Sequence, residues 1–275
     1  MADAKLEVVI PCYRDKTRLR FCIEGLARQE PLPELVRFTC DGGDRDIQEW
    51  LDRAVDDRFE YRFHYLEPET ELRREGIALN LAFHYCRAER ALILSDDMVL
   101  APGVLKAHTE EAADDEALVG IRRKVALHSI PTLSPRKWTY GQLDALVWRQ
   151  DSRIVPPDKF PGGKPLKNGR GFLGCHVSVP MPAVRKIGGF DAMYCGGGSR
   201  GDVDLGERLL ASEVKLIARP DLFAYHLDHD PTSNKLSLVD RAEALMQTSA
   251  RRRIRVRNCG PIETLKEDEN PWWNQ

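Results

Sequence analysis

The chain has 275 residues, 42% hydrophobic and 31% charged, with a net charge of −2 and a sequence pI of about 6.4. That is enough for one large domain or two small ones with a sizeable core. The near-neutral balance excludes a globally basic binder of nucleic acid or acidic membranes. No apolar run reaches the ~18 residues of a membrane span, so stable membrane insertion is not expected. Seven scattered cysteines (Cys12, Cys22, Cys40, Cys86, Cys175, Cys195 and Cys259) are odd in number and form no CxxC. They predict reduced thiols in a cytoplasmic protein rather than a disulfide framework or a zinc knuckle. MADAKLEVVIP runs straight into a strand without a signal-peptide pattern.

In chain order, LEVVIP (6–11) is a compact apolar strand closed by Pro11. Residues 16–29 place Leu19, Cys22, Ile23 and Leu26 at helical spacing, with Thr17 as an early cap. LVRFTC (35–40) is a second strand, cut off by Asp41-Gly42-Gly43. IQEWLDRAV (47–55) is amphipathic and helical, FEYRFHYL (59–66) alternates like a strand, and IALNLAFHYC (77–86) is helical again. ALIL (91–94) is a buried strand stopped by Ser95, Asp96 and Asp97, and Ala101-Pro102 opens a helix. VGIRRKVAL (119–127) has strand character, and 128–170 reads as a long surface loop, the kind that is usually functional or disordered. GCHVSVP (174–180) is a strand, PAVRKIGGF (182–190) a short helix with a glycine stop, VDLGERLLASEV (203–214) a helix and KLIARP (215–220) a strand. A last helix over 236–250 and a tail complete the chain. Strands alternating with helices predict an α/β fold with a largely parallel sheet.

In such a sheet, ligands sit beyond the carboxyl ends of the strands. Four polar groups fall there: Tyr13-Arg14-Asp15, Asp41-Gly42-Gly43, Asp96-Asp97 and the stretch around Asp202. Each alone has a structural explanation, such as a turn signal at Asp41 or a helix cap at Asp202. Two adjacent carboxylates beside a core are costly, however, and imply that negative charge is needed there.

Taken together these stretches resemble the family-2 glycosyltransferases, of the GT-A fold, over about residues 5–230. LEVVIPCYRD resembles that family's opening strand and P-x-Y-x turn, and FTCDGGDRD its second strand ending in D-G-G-S-x-D. RREGIALNLAFHYCRAERALILSDDMVLAPGVLKAH resembles its R-x-x-G-x-A-x-N helix, acidic metal motif and following helix. GCHVSVPMPAVRKIGGFDAMYCGGGSRGDVDLGERLLASEVKLIARPDLFAYHLDH resembles its acceptor-side segment, with GGFD, an acidic motif and a closing histidine. The resemblance implies a Rossmann-like, mostly parallel sheet flanked by helices, with a smaller acceptor-side sheet region. It implies a nucleotide-binding half over about 1–118, an acceptor-side half over 119–230 and a C-terminal helix and tail over 231–275.

The activity implied is inverting transfer of a sugar from a nucleotide-diphosphate sugar, UDP-linked in this reading, to a saccharide or other hydroxyl-bearing acceptor. Mn²⁺ or Mg²⁺ would neutralise the departing diphosphate. The family's D-x-D here begins with Ser95, which leaves Asp97 as the metal ligand and Asp96 for ribose or sugar hydroxyls. His226 and His229 are further metal ligands, unranked. Pro11, Tyr13, Arg14, Asp41 (toward the nucleobase), Arg73 or Arg74 (toward a phosphate) and Asn80 fall on the donor side. Where the family has Glu-Asp, this chain has Gly201-Asp202. Asp202 is then the general base and Asp204 a holder of an acceptor hydroxyl, within a glycine-rich segment (Gly196–Gly198, Gly201) expected to move. Lys167 and Arg170 in KNGRGFLG are acceptor or diphosphate contacts, Asp151 and Arg153 an ion pair that orders the loop. Trp138, Tyr140 and Trp148 are sugar-stacking rings, with core packing the alternative for at least one.

Two other readings stay open at this level. A nucleotidyltransferase would carry a glycine-rich basic loop after strand one, and CYRDKTRLR has the basic residues without the glycines. A catalytically silent nucleotide-sugar binder would account for the losses at Ser95 and Gly201. The basic run ARRRIRVR (250–257) is a solvated face or a dock for an anionic acceptor, and a long polyanion such as nucleic acid is the less natural partner at net charge −2.

Overall fold

The structure is a computed structural model that describes residues 4–13, 15–43, 46–66, 74–150, 162–194 and 200–229. The first half alternates as the sequence predicts: β1 (Leu6–Cys12), α1 (Lys16–Leu26), β2 (Val36–Asp41), α2 (Ile47–Val55), β3 (Tyr61–Leu66), α3 (Glu75–Tyr85) and β4 (Arg90–Leu94). After the paired aspartates come β5 (Met98–Leu100), α4 (Val104–Glu110) and β6 (Glu116–Val125). Then follow α5 (Tyr140–Ala145), β7 (Val147–Gln150), β8 (Lys164–Pro165), β9 (His176–Pro180), α6 (Met181–Ile187), α7 (Gly201–Ala211) and β10 (Lys215–Leu227).

All ten strands join one sheet in the order β3-β2-β1-β4-β9-β6-β10-β5, with β7 on β6 and β8 on β10. β1 lies between β2 and β4 in parallel register, and every residue from Leu6 to Cys12 is buried. A strand covered on both faces has no solvated side, hence its largely apolar run, and its one charged residue, Glu7, is buried in an ion pair with Arg37 on β2. β9 runs antiparallel between β4 and β6, so β6 and β10 point the same way as β1, β2 and β4. The carboxyl ends of these strands therefore share one edge. The division expected near residue 118 falls inside β6, and the acceptor-side strands continue the nucleotide-side sheet.

Several local expectations are corrected. Asp15, not Thr17, caps α1, its carboxylate accepting the Arg18 N–H at 3.0 Å. Asp96-Asp97 leads into β5 before any helix, and α4 begins only after Gly103 at φ +76°. The stretch 128–170 is not a plain loop. It contains a 3-10 helix (Leu127–Thr132), then α5, β7, β8 and a 3-10 turn (Gly169–Gly171). α5 forms because Thr139 and Gln142 make a reciprocal capping box. β10 continues seven residues past the predicted stop at 220, after a register shift against β6 between Arg219 and Phe223. Arg14, Arg73, Asp151, Arg153, Cys195, Gly196–Gly198, Cys259, the helix at 236–250 and the basic run 250–257 lie outside the described residues.

Candidate active site

The turn from Ser95 to Met98 is tied down on both sides. Ser95 N–H donates to the Cys175 carbonyl at 3.1 Å, Met98 N–H to the Ser95 carbonyl at 3.1 Å, and Leu227 N–H to the Asp97 carbonyl at 2.9 Å. β5 pairs antiparallel with β10 so that Met98 faces His226. This register brings the end of β10 to Asp97. His226 Nε2 lies 3.2 Å and His229 Nε2 3.4 Å from Asp97 Oδ2. One donor atom from each of the three residues falls within 4.8 Å of the others.

Asp97 Oδ1 is buried and has no hydrogen-bond partner among the described residues. An ionised carboxylate oxygen so placed is costly unless a cation meets it. Against the upward push of burial, the His226 charge and hydrogen bonds from both imidazoles hold the Asp97 carboxyl well below the usual range. One carboxylate with an open oxygen and two imidazole nitrogens therefore fit a divalent cation. Asp96 is buried in the same turn, and Cys22 Sγ closes on the Ser95 carbonyl at 3.8 Å beneath it.

A cavity of about 370 Å³ opens at the same sheet edge. Its walls come from the start of α3 (Glu75, Gly76, Leu79), from Arg122 on β6, from Leu173–Cys175 before β9, from Phe190, Asp191 and Tyr194, and from Gly201 and Asp202 on α7. Burial and the nearby Glu75 charge push the Asp202 carboxyl up to about 6, although backbone N–H groups of Val203 and Gly174 favour its ionised form. A carboxylate near 6 is poised to accept a proton close to neutral pH.

Asp202 is not the helix cap that a structural reading would make it, because α7 is entered from Arg200. Asp204, expected beside it on an acceptor hydroxyl, is engaged instead by Arg208, with Nε and Nη2 each 2.8 Å from Oδ2. The reason is helical geometry: residues two apart point to opposite sides, whereas i and i+4 share a face.

On the donor side, Asp41 and Arg74 are each other's partners. Arg74 Nε and Nη2 lie 2.9 and 2.8 Å from Asp41 Oδ1, and the Arg74 N–H donates to Oδ2. The pair is buried and fastens the start of α3 to the end of β2, so Arg74 is not presented to a phosphate by itself. Pro11 is buried inside β1 opposite Thr39, which leaves Tyr13 as the first partly exposed residue beyond that strand.

Asn80, expected on the nucleotide, grips the backbone of Phe190. Its Nδ2 donates to the Phe190 carbonyl and its Oδ1 accepts the Phe190 N–H, both at 2.8 Å. That clamp holds the turn carrying Asp191 and Tyr194 into the cavity wall. A Cβ at Gly76 would lie 3.1 Å from Phe190 Cβ, a tight contact that the glycine relieves. Arg170 and Lys167 are exposed near the turn Gly169–Gly171 and do not line the cavity. Gly169 packs against α7, where a Cβ would fall 2.3 Å from the Val203 carbonyl oxygen.

Of the three aromatic candidates, Trp138 is core, 2% exposed with the Arg28 guanidinium 3.8 Å above its ring. Tyr140 packs edge-on against it and donates to the Leu100 carbonyl. Trp148 is 58% exposed and donates from Nε1 to Asp228 Oδ2 at 2.8 Å. Glu75, Arg122, Asp191 and Tyr194 were not anticipated as cavity residues. The available signal was GGFD, which places Asp191 one residue beyond the clamped Phe190.

Residues 7–161 match the family model described as glycosyl transferase family 2. Among solved structures, residues 1–349 of S. aureus TarS in complex with UDP-GlcNAc share 15% identity at a TM-score of 0.57, covering 82% of this chain and 59% of that one. The mannosyltransferase PcManGT from Pyrobaculum calidifontis in complex with GDP-Man and Mn²⁺ shares 16% identity at 0.59, covering 95% and 67%. GalNAc-T7 with UDP, GalNAc and Mn²⁺ shares 11% at 0.60, covering 88% and 48%. The chain thus spans about half to two thirds of the length of these proteins. No curated protein sequence matches it. With the family model covering more than half of its length and its sheet in the GT-A arrangement, this chain belongs to glycosyl transferase family 2.

Proposed function

We propose that the protein is an inverting glycosyltransferase that moves a sugar from a nucleotide-diphosphate sugar, UDP-linked, to the hydroxyl of a saccharide or similar acceptor. The observation that carries this reading is the pairing of two differently tuned carboxylates at one sheet edge: Asp97 held ionised among two histidines, and Asp202 raised to about 6 in the adjoining cavity. Environments that drive two acids apart assign them separate tasks.

Asp97, His226 and His229 would hold a Mn²⁺ or Mg²⁺, which when bound supplies counter-charge and Lewis acidity to the departing diphosphate. Two imidazoles beside one carboxylate favour Mn²⁺, because Mg²⁺ prefers a nearly all-oxygen shell. They also compensate for the carboxylate absent at Ser95. Tyr13 and Asp96 flank the donor, while the Asp41–Arg74 pair and Asn80 shape its surroundings as positioning residues.

Asp202 accepts the proton of the acceptor hydroxyl as its oxygen bonds to the anomeric carbon. The carbon–oxygen bond to the diphosphate breaks on the opposite side, which inverts the anomeric configuration. The cavity at Asp202 receives the acceptor or the transferred sugar, with Arg122 the one cation among its described lining residues. Phe190 and Leu79 give it apolar walls suited to the C–H faces of a sugar.

Calorimetric titration with a panel of nucleotide diphosphates and nucleotide sugars, with and without Mn²⁺, tests the donor half of this reading. Metal-dependent binding of one nucleotide at micromolar affinity is expected. Failure of every nucleotide to bind contradicts the proposal. A silent binder would take up donor yet release no diphosphate with any acceptor.

A further inference from the structure

The metal triad is joined to an exposed aromatic ring through one carboxylate, Asp228, to which the reading above gives no task. Asp228 Oδ1 lies 3.0 Å from His226 Nδ1 and accepts from Lys124 Nζ at 2.9 Å. Its Oδ2 accepts the Trp148 indole N–H at 2.8 Å. Its main chain is anchored too: the N–H donates to the Val125 carbonyl at 3.1 Å, and the carbonyl accepts from Arg18 Nη2 at 3.2 Å. All of these groups converge on the last residues of β10, at the metal-side end of the sheet.

The local backbone is shaped for this contact. On β6, Lys124 pairs with Arg149 and the next residue, Val125, pairs with Val147. Trp148 is therefore the extra residue of a β-bulge, a device that re-aims one side chain and that recurs beside active sites. Regular pairing would not leave this residue unopposed. In the parallel register of β6 and β10, Lys124 and His226 are partners, so Lys124 reaches Asp228 from the same pair that carries the histidine. The Lys124 ammonium also stands 5.8 Å from the centroid of the Trp148 ring.

A carboxylate that accepts from Nδ1–H of a histidine fixes the ring and its tautomer and leaves Nε2 as the ligand atom. Here that atom is the one facing Asp97. We propose that Asp228 is a positioning residue that couples the two ends of this relay, so that cation capture by Asp97, His226 and His229 alters the hydrogen bond that holds the Trp148 indole, an acceptor-side platform. The inference rests on the metal-site reading above and goes beyond it, because it makes the exposed ring responsive to metal. When a cation draws on His226 Nε2, the Nδ1–H becomes a stronger donor to Asp228. The shared carboxylate then redistributes its remaining bonds to Lys124 and Trp148.

The test uses the full chain and Zn²⁺, which is diamagnetic and takes imidazole nitrogens beside a carboxylate. The indole N–H resonance of Trp148 is identified by its loss in Trp148→Phe and followed by ¹H–¹⁵N NMR as Zn²⁺ is added, beside calorimetry of the same titration. The expected result is a shift of that resonance with the same midpoint as binding. Asp228→Asn and Asp228→Ala should weaken metal binding about 10- to 100-fold and abolish the shift. Saturable binding with a stationary Trp148 resonance overturns the coupling alone and leaves the metal site intact. Unchanged affinity in a folded Asp228 variant overturns it as well. Absence of saturable binding by the wild type brings down the metal-site reading and this inference together. A variant that does not fold leaves the wild-type titration to decide.

Discussion

Asp97 and Asp202 stand at the same edge of one sheet, both largely withdrawn from water, and their surroundings push them in opposite directions. Asp97 sits in a turn braced by β9 and β10, with two imidazoles against one oxygen and, among the described residues, no partner for the other. Asp202 sits in the first turn of α7, where burial and Glu75 outweigh three backbone N–H groups. The lesson is that a carboxylate's role follows from what faces it rather than from its depth. Asp204, on the same helix turn as Asp202, makes the point again, since Arg208 pairs with it and turns it into a brace.

The largest expected effect comes from removing the base. Asp202→Asn should lower turnover about 10²- to 10⁴-fold with metal-dependent donor binding unchanged, measured as diphosphate release against calorimetric affinity. Asp97→Ala should weaken Mn²⁺ binding about 100-fold or more, since it removes the only carboxylate of the triad. Loss of donor affinity in the first variant, or full metal affinity in the second, would erase the distinction between the two acids.

The pH dependence sharpens the comparison. Asp202 must be ionised to accept a proton, so turnover should rise with pH through about 6 and level off above it. That limb should vanish in Asp202→Asn. The linkage to stability has the opposite sense. A folded-state value above the ordinary ~3.9 means that the folded protein holds the proton more tightly, so stability falls as pH rises from about 4 to 6. Asp202→Asn is therefore expected to be more stable at pH 7.5 by about 1–2 kcal/mol, read from denaturant unfolding. Equal or lower stability would show that Asp202 is satisfied where it stands.

Smaller effects test the supporting residues. Asn80→Ala should cost about 1–3 kcal/mol, because two backbone groups of Phe190 lose their partner. Asp204→Ala should leave turnover within about threefold and change stability by about 1 kcal/mol or less, as expected for one partly exposed i,i+4 pair.

Much of this was legible in the chain. The apolar runs 8–11 in β1 and 91–94 in β4 announce strands covered on both faces, and Asp97, Asp202 and the two histidines stand out by residue type. β5 was not legible, because three residues are too few to show a period and Ala101-Pro102 resembles a helix start. β10 runs on past Pro220, and nothing local signals that pairing resumes beyond its register shift. The cavity wall was the hardest to foresee. Glu75, Arg122 and Asp191 meet only because the sheet order sets β9 and β6 beside β4, a tertiary fact that no short window carries. Asp204 could have been read correctly from the angle between positions two apart on a helix, and α5 from its Thr139–Gln142 capping pattern.

The division of labour between Asp97 and Asp202 is tested most directly by one crossed experiment. Wild type, Asp97→Ala and Asp202→Asn are each titrated calorimetrically with UDP in the presence and absence of Mn²⁺. The account predicts Mn²⁺-dependent binding that is lost in Asp97→Ala and retained, at wild-type affinity, in Asp202→Asn. Loss in both variants, or in neither, would contradict it.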